Sequence, residues 1–168
     1  ASLDHSLQRF ISLVFFGLTF VLPIAFIPLY YYTRLIGSLK MQDRRDRIIP
    51  LYITLIFYLM AYLLIQKTQI SRIYHNFMLA SCLTVFLVLV VSFFWKISAH
   101  LSGLGGIVAL IVVLSVFLKA DLMLYLIIAV LIAGITAYAR LRTDAHDPLQ
   151  VYSGFLLGFG CVMLVFLI

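Results

Sequence analysis

The sequence contains no glutamate, and its six acidic residues are aspartates scattered along the chain. A metal site built from several carboxylates therefore lacks its usual ligands. The two cysteines, Cys82 and Cys161, lie inside apolar stretches, where a thiol is usually an inert packing group. No cysteine and histidine have the spacing of a zinc site, so we expect neither a metal ion nor a cofactor. A glycine-rich nucleotide-binding loop and a serine nucleophile elbow are also missing.

Charge is scarce as well, because only 11% of the residues are charged and 65% are hydrophobic. A mean hydropathy of +1.17 is typical of a membrane protein and excludes an ordinary soluble domain. Continuous apolar runs long enough to cross a bilayer as helices occur six times, without the alternation of a membrane barrel. The sequence thus predicts an all-α, polytopic membrane protein, a bundle of six transmembrane helices in a single domain, 1–168. The predicted spans are 10–33, 48–66, 73–95, 101–118, 122–139 and 149–168.

The connections between these spans differ in chemistry on the two membrane faces. With face B defined as the side of the N-terminus, the connections after spans one, three and five lie together on face A. Face B carries four basic residues and two histidines, which are Arg9, Lys67, Arg72, Lys119, His5 and His75. Face A carries eight basic residues and two histidines, which are Arg34, Lys40, Arg44, Arg45, Arg47, Lys96, Arg140, Arg142, His100 and His146.

One explanation for this asymmetry is topology alone, since cytoplasmic connections collect lysine and arginine. It does not explain why two histidines, His100 and His146, share the basic face, each beside the start of a span. Cations can hold the oxygens of a phosphate ester, and imidazoles can supply a nucleophile and a proton near pH 7. The residues of face A therefore indicate phosphoryl chemistry that needs no metal.

Three segments of face A resemble the signature of the type 2 phosphatidic acid phosphatases, which share a core with the vanadium haloperoxidases. That signature is Lys, six residues, Arg-Pro; then Pro-Ser-Gly-His; then Ser-Arg, five residues, His, three residues, Asp. The similar segments lie within about 38–158. They are Lys40, six residues and Arg47; Ile97-Ser98-Ala99-His100; and Ala139-Arg140, five residues, His146, three residues and Gln150.

The resemblance implies a role for each matched residue. Lys40, Arg47 and Arg140 would clamp the phosphate oxygens, and Ser98 with the backbone amides of its turn would bind another oxygen. His146 would attack phosphorus to form a phosphohistidine, and His100 would protonate the leaving oxygen. The protein is then a metal-independent lipid phosphatase, acting on the phosphate monoester or diphosphate of a lipid.

Each of the three motifs departs from the family pattern. Ile48 replaces the proline of the first part, and Ile97 and Ala99 replace the proline and glycine of the second. Gln150 is the main departure, because the family's aspartate there orients and charges the nucleophilic histidine. A neutral amide can accept from the imidazole N–H but cannot stabilise the imidazolium, so a slow enzyme is expected. Asp144 or Asp147 could substitute, but we expect Asp147 to point away from the adjacent His146.

These departures keep two further interpretations open. One is a catalytically impaired relative that binds or transports an anionic phospholipid, and the other is a purely structural membrane subunit. The expected partners are a lipid phosphate and the bilayer, and the net charge of +6 requires no nucleic acid.

The resemblance implies a bacterial inner membrane with the site facing the periplasm or outside. Without the three matched cations, face A has five basic residues against four, so charge alone does not orient the chain. The sequence carries no signal for an oligomeric state.

Overall fold

The protein is an integral membrane protein built from helices, as the sequence predicts. A computed structural model describes residues 5–34 and 44–168 of the chain. Within these residues, six helical segments are long and apolar enough to cross a membrane. The helices are α1 His5–Phe16, a π-helical turn Gly17–Val21, α2 Leu22–Tyr32, α3 Arg44–Gln66, α4 Arg72–Phe94, α5 Ala99–Leu118, α6 Met123–Arg142 and α7 Pro148–Leu167.

The first span is one helix with a π-helical turn inside it. The backbone N–H of Leu22 donates to the carbonyl of Gly17, five residues earlier, which is the π pattern. Proline follows immediately at position 23, in the first turn of α2. Because proline has no N–H, it cannot continue the α-helical hydrogen bonds, and the helix adjusts its winding there.

Two helices reach three or four residues further on face A than the hydropathy pattern predicts. Helix α3 begins at Arg44 rather than at residue 48, and α6 ends at Arg142 rather than at residue 139. Arg47 and Arg140 therefore lie within helices and not in connecting loops. Basic residues in the last turn of α6 are favourable there because the partial charge at a helix C-terminus is negative.

Helices α5 and α7 form the most extensive contact in the bundle. A Cβ atom at Gly158 would lie 1.8 Å from the carbonyl oxygen of Ser102, and one at Gly105 would lie 2.1 Å from that of Phe155. Only glycine allows the two backbones to come this close, as is common between membrane helices. This contact fixes the first half of α5 against the middle of α7.

Candidate active site

A cavity of about 630 Å³ lies where α3, α5 and α7 begin and α6 ends. Its wall contains two arginines and two histidines, and none of the described lining residues is acidic. The four side chains are those of Arg47, His100, Arg140 and His146. The structure therefore brings together four of the residues that the sequence predicts for the site. Lys40 lies outside the described residues.

The turn between α6 and α7 holds His146 in place. The carbonyl of Arg140 accepts from the backbone N–H groups of Ala145, at 3.1 Å, and of His146, at 3.4 Å. Asp144 has a left-handed backbone conformation with a φ of 50°, which aspartate tolerates better than most residues. The side chain of His146 is buried, with 7% of its surface exposed. Its position thus depends on the end of α6.

Both ring nitrogens of His146 have partners. Nδ1 lies 2.8 Å from Gln150 Oε1, and Nε2 lies 3.2 Å from Nη1 of Arg47. Arginine can only donate, so Nε2 accepts and the ring proton is on Nδ1, where it donates to the amide oxygen. Arg47 Nη1 also donates to the carbonyl of Ile97, at 3.3 Å. The nitrogen that carries a lone pair, Nε2, therefore faces the cationic side of the cavity.

Gln150 accordingly occupies the position that the resemblance gives to an aspartate, and it contacts the histidine as that aspartate would. Its amide nitrogen Nε2 donates to Oδ2 of Asp147 at 2.8 Å, and its backbone N–H donates to Oδ1 of the same carboxylate at 2.9 Å. Asp147 is the N-cap of α7. The structure gives no direct bond between Asp147 and His146, but it links them through Gln150, which the sequence reasoning missed. The Asp-Pro-Leu-Gln spacing is that of a capping box and is the signal that could have indicated this link.

His100 lies in the first turn of α5 and pairs with the second arginine of the cavity. Its Nε2 is 2.9 Å from Arg140 Nη2, which must be the donor. The backbone N–H groups in the first turn of α5 have no acceptor within the helix, and the positive end of the helix dipole is at the same place. Ala99 and His100, both in this turn, line the cavity. The helix end therefore adds to the positive potential from the arginines.

Ser98 has a different position from its neighbours in the second motif. Its side chain is completely buried, and Ser98 is not part of the cavity wall, although Ile97, Ala99 and His100 are. Its Oγ has no hydrogen-bond partner among the described residues. The backbone N–H of Ser98 donates to the carbonyl of Gln150 at 3.1 Å. Ser98 thus connects the start of α5 to the start of α7, and its predicted contact with phosphate stays a prediction.

The surroundings of His146 favour its neutral form. Burial lowers the pKa of the imidazole from its ordinary value, and the hydrogen bond to Gln150 opposes this by raising it. The positive charges of Arg47 and Lys96 lower the pKa further. A neutral imidazole keeps its lone pair, which a nucleophile requires.

A second cavity, of about 370 Å³, is adjacent to the first and is lined mainly by apolar side chains of α3, α4 and α5. The two cavities share Leu51, Thr54 and Ala99 in their walls. Leu51, Thr54 and Tyr58 lie three and four residues apart, which places them on one side of α3. The sequence reasoning did not identify this surface, although that spacing is visible in the sequence.

Among the described residues, no group of three histidine, cysteine or aspartate side chains is arranged to hold a metal ion. In comparisons with known proteins, no family model, curated protein or solved structure matches this chain. The resemblance to the type 2 phosphatidic acid phosphatases accordingly depends on the three sequence motifs alone and stays a prediction.

Proposed function

We propose that this protein is an integral membrane phosphatase that hydrolyses the phosphate monoester or diphosphate of a lipid, without a metal ion. The observation that carries the proposal is the pair of contacts between an arginine and a histidine in one cavity, Arg47 with His146 and Arg140 with His100. The two partners of each pair are distant in the sequence, 99 residues apart in the first pair and 40 in the second.

The charge of the cavity supports a phosphate ligand. A phosphate monoester carries between about 1.5 and 2 negative charges near neutral pH. Arg47 and Arg140 supply two positive charges, and guanidinium groups bind phosphate oxygens in a bidentate manner. Without an acidic residue in the described wall, nothing there repels the anion. The start of α5 supplies backbone donors of the kind that bind phosphate at helix ends.

The adjacent apolar cavity supports a lipid rather than a water-soluble ester. Because Leu51, Thr54 and Ala99 belong to both walls, a phosphate between the arginines would have its ester oxygen close to an apolar surface. A hydrocarbon chain can enter this cavity without burying an unpaired polar group, whereas the polar part of a water-soluble ester cannot. A substrate with one charged end and one apolar chain satisfies both cavities.

The residues of the cavity can perform the reaction in two steps. In the first, the lone pair of His146 Nε2 attacks phosphorus and the bond from phosphorus to the lipid oxygen breaks. His100, protonated to the imidazolium beside the bound phosphate anion, gives its proton to that oxygen and returns to the neutral form. In the second, a water oxygen attacks phosphorus, His100 takes the water proton, and the bond from phosphorus to nitrogen breaks. The arginines stabilise the charge on the phosphoryl oxygens in both steps. Since Arg47 Nη1 contacts Nε2, a phosphate oxygen that takes over this donor frees the nucleophile.

The test is release of inorganic phosphate by the purified protein from four substrates: short-chain phosphatidate, phosphatidylglycerol phosphate, a polyprenyl diphosphate and a glycolipid phosphate. We expect turnover of at least one lipid, unchanged by a chelator and inhibited by vanadate. His146→Ala should abolish it. His75→Ala is the matched control, because His75 lies near the other end of α3, close to the carbonyl of Ile65. Full activity of His146→Ala would refute the mechanism.

A second function, binding or transport of an anionic phospholipid without turnover, is favoured by one observation. The partner of His146 Nδ1 is the neutral amide of Gln150 and not a carboxylate. In this case lipid phosphates would bind to the protein, with loss of binding in Arg47→Gln, while no phosphate would be released from any lipid of the panel.

We propose that the cavity faces the periplasm or outside of a bacterial inner membrane, on the basis of the family resemblance. Single cysteines introduced at Asp144 and at Gln69, both exposed and on opposite faces, can be labelled in intact cells with a membrane-impermeant reagent. The two native cysteines are buried and should react slowly. Labelling at position 144 alone supports an outward cavity, and labelling at position 69 alone contradicts it.

A further inference from the structure

The side-chain amide of Gln150 lies between two groups that need opposite partners. On one side its Oε1 is 2.8 Å from Nδ1 of His146, and on the other its Nε2 is 2.8 Å from Oδ2 of Asp147. A carboxylate oxygen only accepts hydrogen bonds, whereas an amide has a donating end and an accepting end. The amide can therefore face Asp147 only with its nitrogen, and its oxygen must then face the imidazole.

This orientation determines where the proton of His146 lies. An amide oxygen at Nδ1 requires that Nδ1 carry the proton, so the lone pair must be on Nε2. The contact at the other ring nitrogen leads to the same result independently, because the guanidinium of Arg47 can only donate to Nε2. With the amide reversed, two acceptors would oppose each other at Asp147 and the imidazole would have the opposite tautomer.

Asp147 is itself held in a fixed position. It is the N-cap of α7, and its Oδ1 accepts from the backbone N–H of Gln150 at 2.9 Å. Capping uses only this first oxygen, and the second oxygen, Oδ2, is directed to the side chain of Gln150. The carboxylate therefore has a contact that stabilisation of the helix end does not require.

We propose that Asp147 is a positioning residue for His146 and acts through the amide of Gln150. It fixes the amide, the amide fixes the tautomer of the imidazole, and the negative charge lies one hydrogen bond further from the ring than in a direct pair of histidine and aspartate. The expected effect of Asp147 on turnover rests on the proposed function, whereas the tautomer of His146 follows from the geometry alone.

The decisive variants keep the helix cap and change only the second contact. Asparagine caps helices about as well as aspartate, so Asp147→Asn retains the bond from Oδ1 to the backbone of Gln150 while removing the charge. Because Oδ1 stays on the helix cap, the new amide presents its Nδ2 donor to Gln150, which favours the reversed orientation of the Gln150 amide. Arg47 still donates to Nε2 of His146 and favours the original tautomer, so the orientation of the Gln150 amide is no longer fixed. We expect kcat to fall by about tenfold to a hundredfold, the scale of one hydrogen bond to a charged group, with little change in KM. Asp144→Asn, in the same turn and exposed, is the matched control and should keep wild-type kcat.

A double variant separates this role from a structural one. Gln150→Glu alone would place two carboxylates against each other, which is unfavourable. In the double variant Asp147→Asn with Gln150→Glu, the carboxylate at position 150 can accept from His146 Nδ1 and from the amide at position 147. The negative charge and the amide have then exchanged positions. We expect the double variant to recover kcat relative to either single variant. If the two residues acted independently, the fold decreases in kcat of the single variants would instead multiply in the double variant.

The tautomer is measured directly by nitrogen NMR of the ¹⁵N-histidine-labelled protein in lipid nanodiscs, with the His146 signals assigned from the spectrum of His146→Ala. In the wild type we expect Nδ1 to carry the proton, and in Asp147→Asn we expect a mixture of tautomers. An unchanged tautomer together with unchanged kcat in Asp147→Asn would overturn the proposal. If no lipid is hydrolysed by the wild type, the phosphatase proposal fails, and the NMR result still decides whether Asp147 sets the tautomer.

Discussion

The substitution Gly154→Ala tests whether the contact between α5 and α7 sets the geometry of the cavity. A Cβ atom at this position would lie 2.6 Å from the carbonyl oxygen of Ser98 and 3.3 Å from its Cβ. Ordinary contact begins at 3.4 Å, so the start of α5 has to move by about 0.8 Å away from α7. The atom that must yield belongs to the backbone and cannot rotate away.

That displacement acts on the proposed catalytic groups through two connections. The backbone of Ser98 donates to the carbonyl of Gln150, and His100 follows Ser98 by two residues. Moving Ser98 therefore changes the distance between the ring of His100 and the pair of His146 and Gln150. A misplacement of about 1 Å can reduce turnover by about a hundredfold, and overpacking of this kind costs about 1–3 kcal/mol of stability.

The assay is phosphate release, with kcat and KM measured well below the thermal transition of each variant, so that only folded protein contributes. Gly160→Ala is the matched control, because a Cβ atom at Gly160, on the same helix, meets nothing within 4 Å. We expect Gly154→Ala to lower kcat by about tenfold to a hundredfold and Gly160→Ala to leave it unchanged. Wild-type kcat in a folded Gly154→Ala protein would show that the contact does not set the geometry of the site.

Three further outcomes follow from the same structure. Burial lowers the pKa of His146, so its nucleophilic neutral form persists as the pH falls to the ordinary histidine value of about 6.5. Activity should therefore be retained down to this pH and be lost only below it. A decrease of kcat/KM on the acid side that begins above that value would contradict this. Gly103 lines the apolar cavity, and a Cβ atom there meets nothing within 4 Å. Gly103→Leu should therefore fill part of this cavity and shift the preference towards shorter lipid chains, as measured by kcat/KM across a chain-length series. Gly160→Leu, outside the cavity wall, should not shift it. Arg140→Gln removes the donor to His100 and should lower kcat/KM by about tenfold to a hundredfold. Arg142→Gln is its control, because Nη1 of Arg142 donates to the hydroxyl of Tyr138 instead, and it should change phosphate release by less than about threefold.

The hydropathy of the sequence predicts the helices and their number well, because each crossing of the bilayer requires a long apolar run. It predicts the helix ends less well. Arg47 and Arg140 are charged, so a hydropathy criterion stops before them, although a helix can continue into the region of lipid headgroups. The π-helical turn at Gly17–Val21 is not visible in hydropathy either, because it depends on hydrogen bonds that the following proline cannot make.

The candidate site was predicted as a set of residues but not as a set of contacts. Motif spacing indicates that His100 and His146 lie on one face, and the structure places both in one cavity wall. Which arginine contacts which histidine depends on the rotation of α3 and α6 about their axes, and the spacing of charged residues carries no information on it. The link from His146 to Asp147 through Gln150 was missed because adjacent side chains normally point in different directions.

The near contact of two backbones at Gly105 and Gly158 has a consequence for how the sequence can change over evolutionary time. This packing is made by main-chain atoms, which every residue has. At these two positions selection therefore acts only against residues that add a side chain. Many of the remaining large apolar side chains are exposed on the outer surface of the bundle, where leucine, isoleucine, valine and phenylalanine suit lipid tails about equally well. Two descendants of one ancestor could thus keep the same cavity while the rest of their residues drift almost beyond comparison.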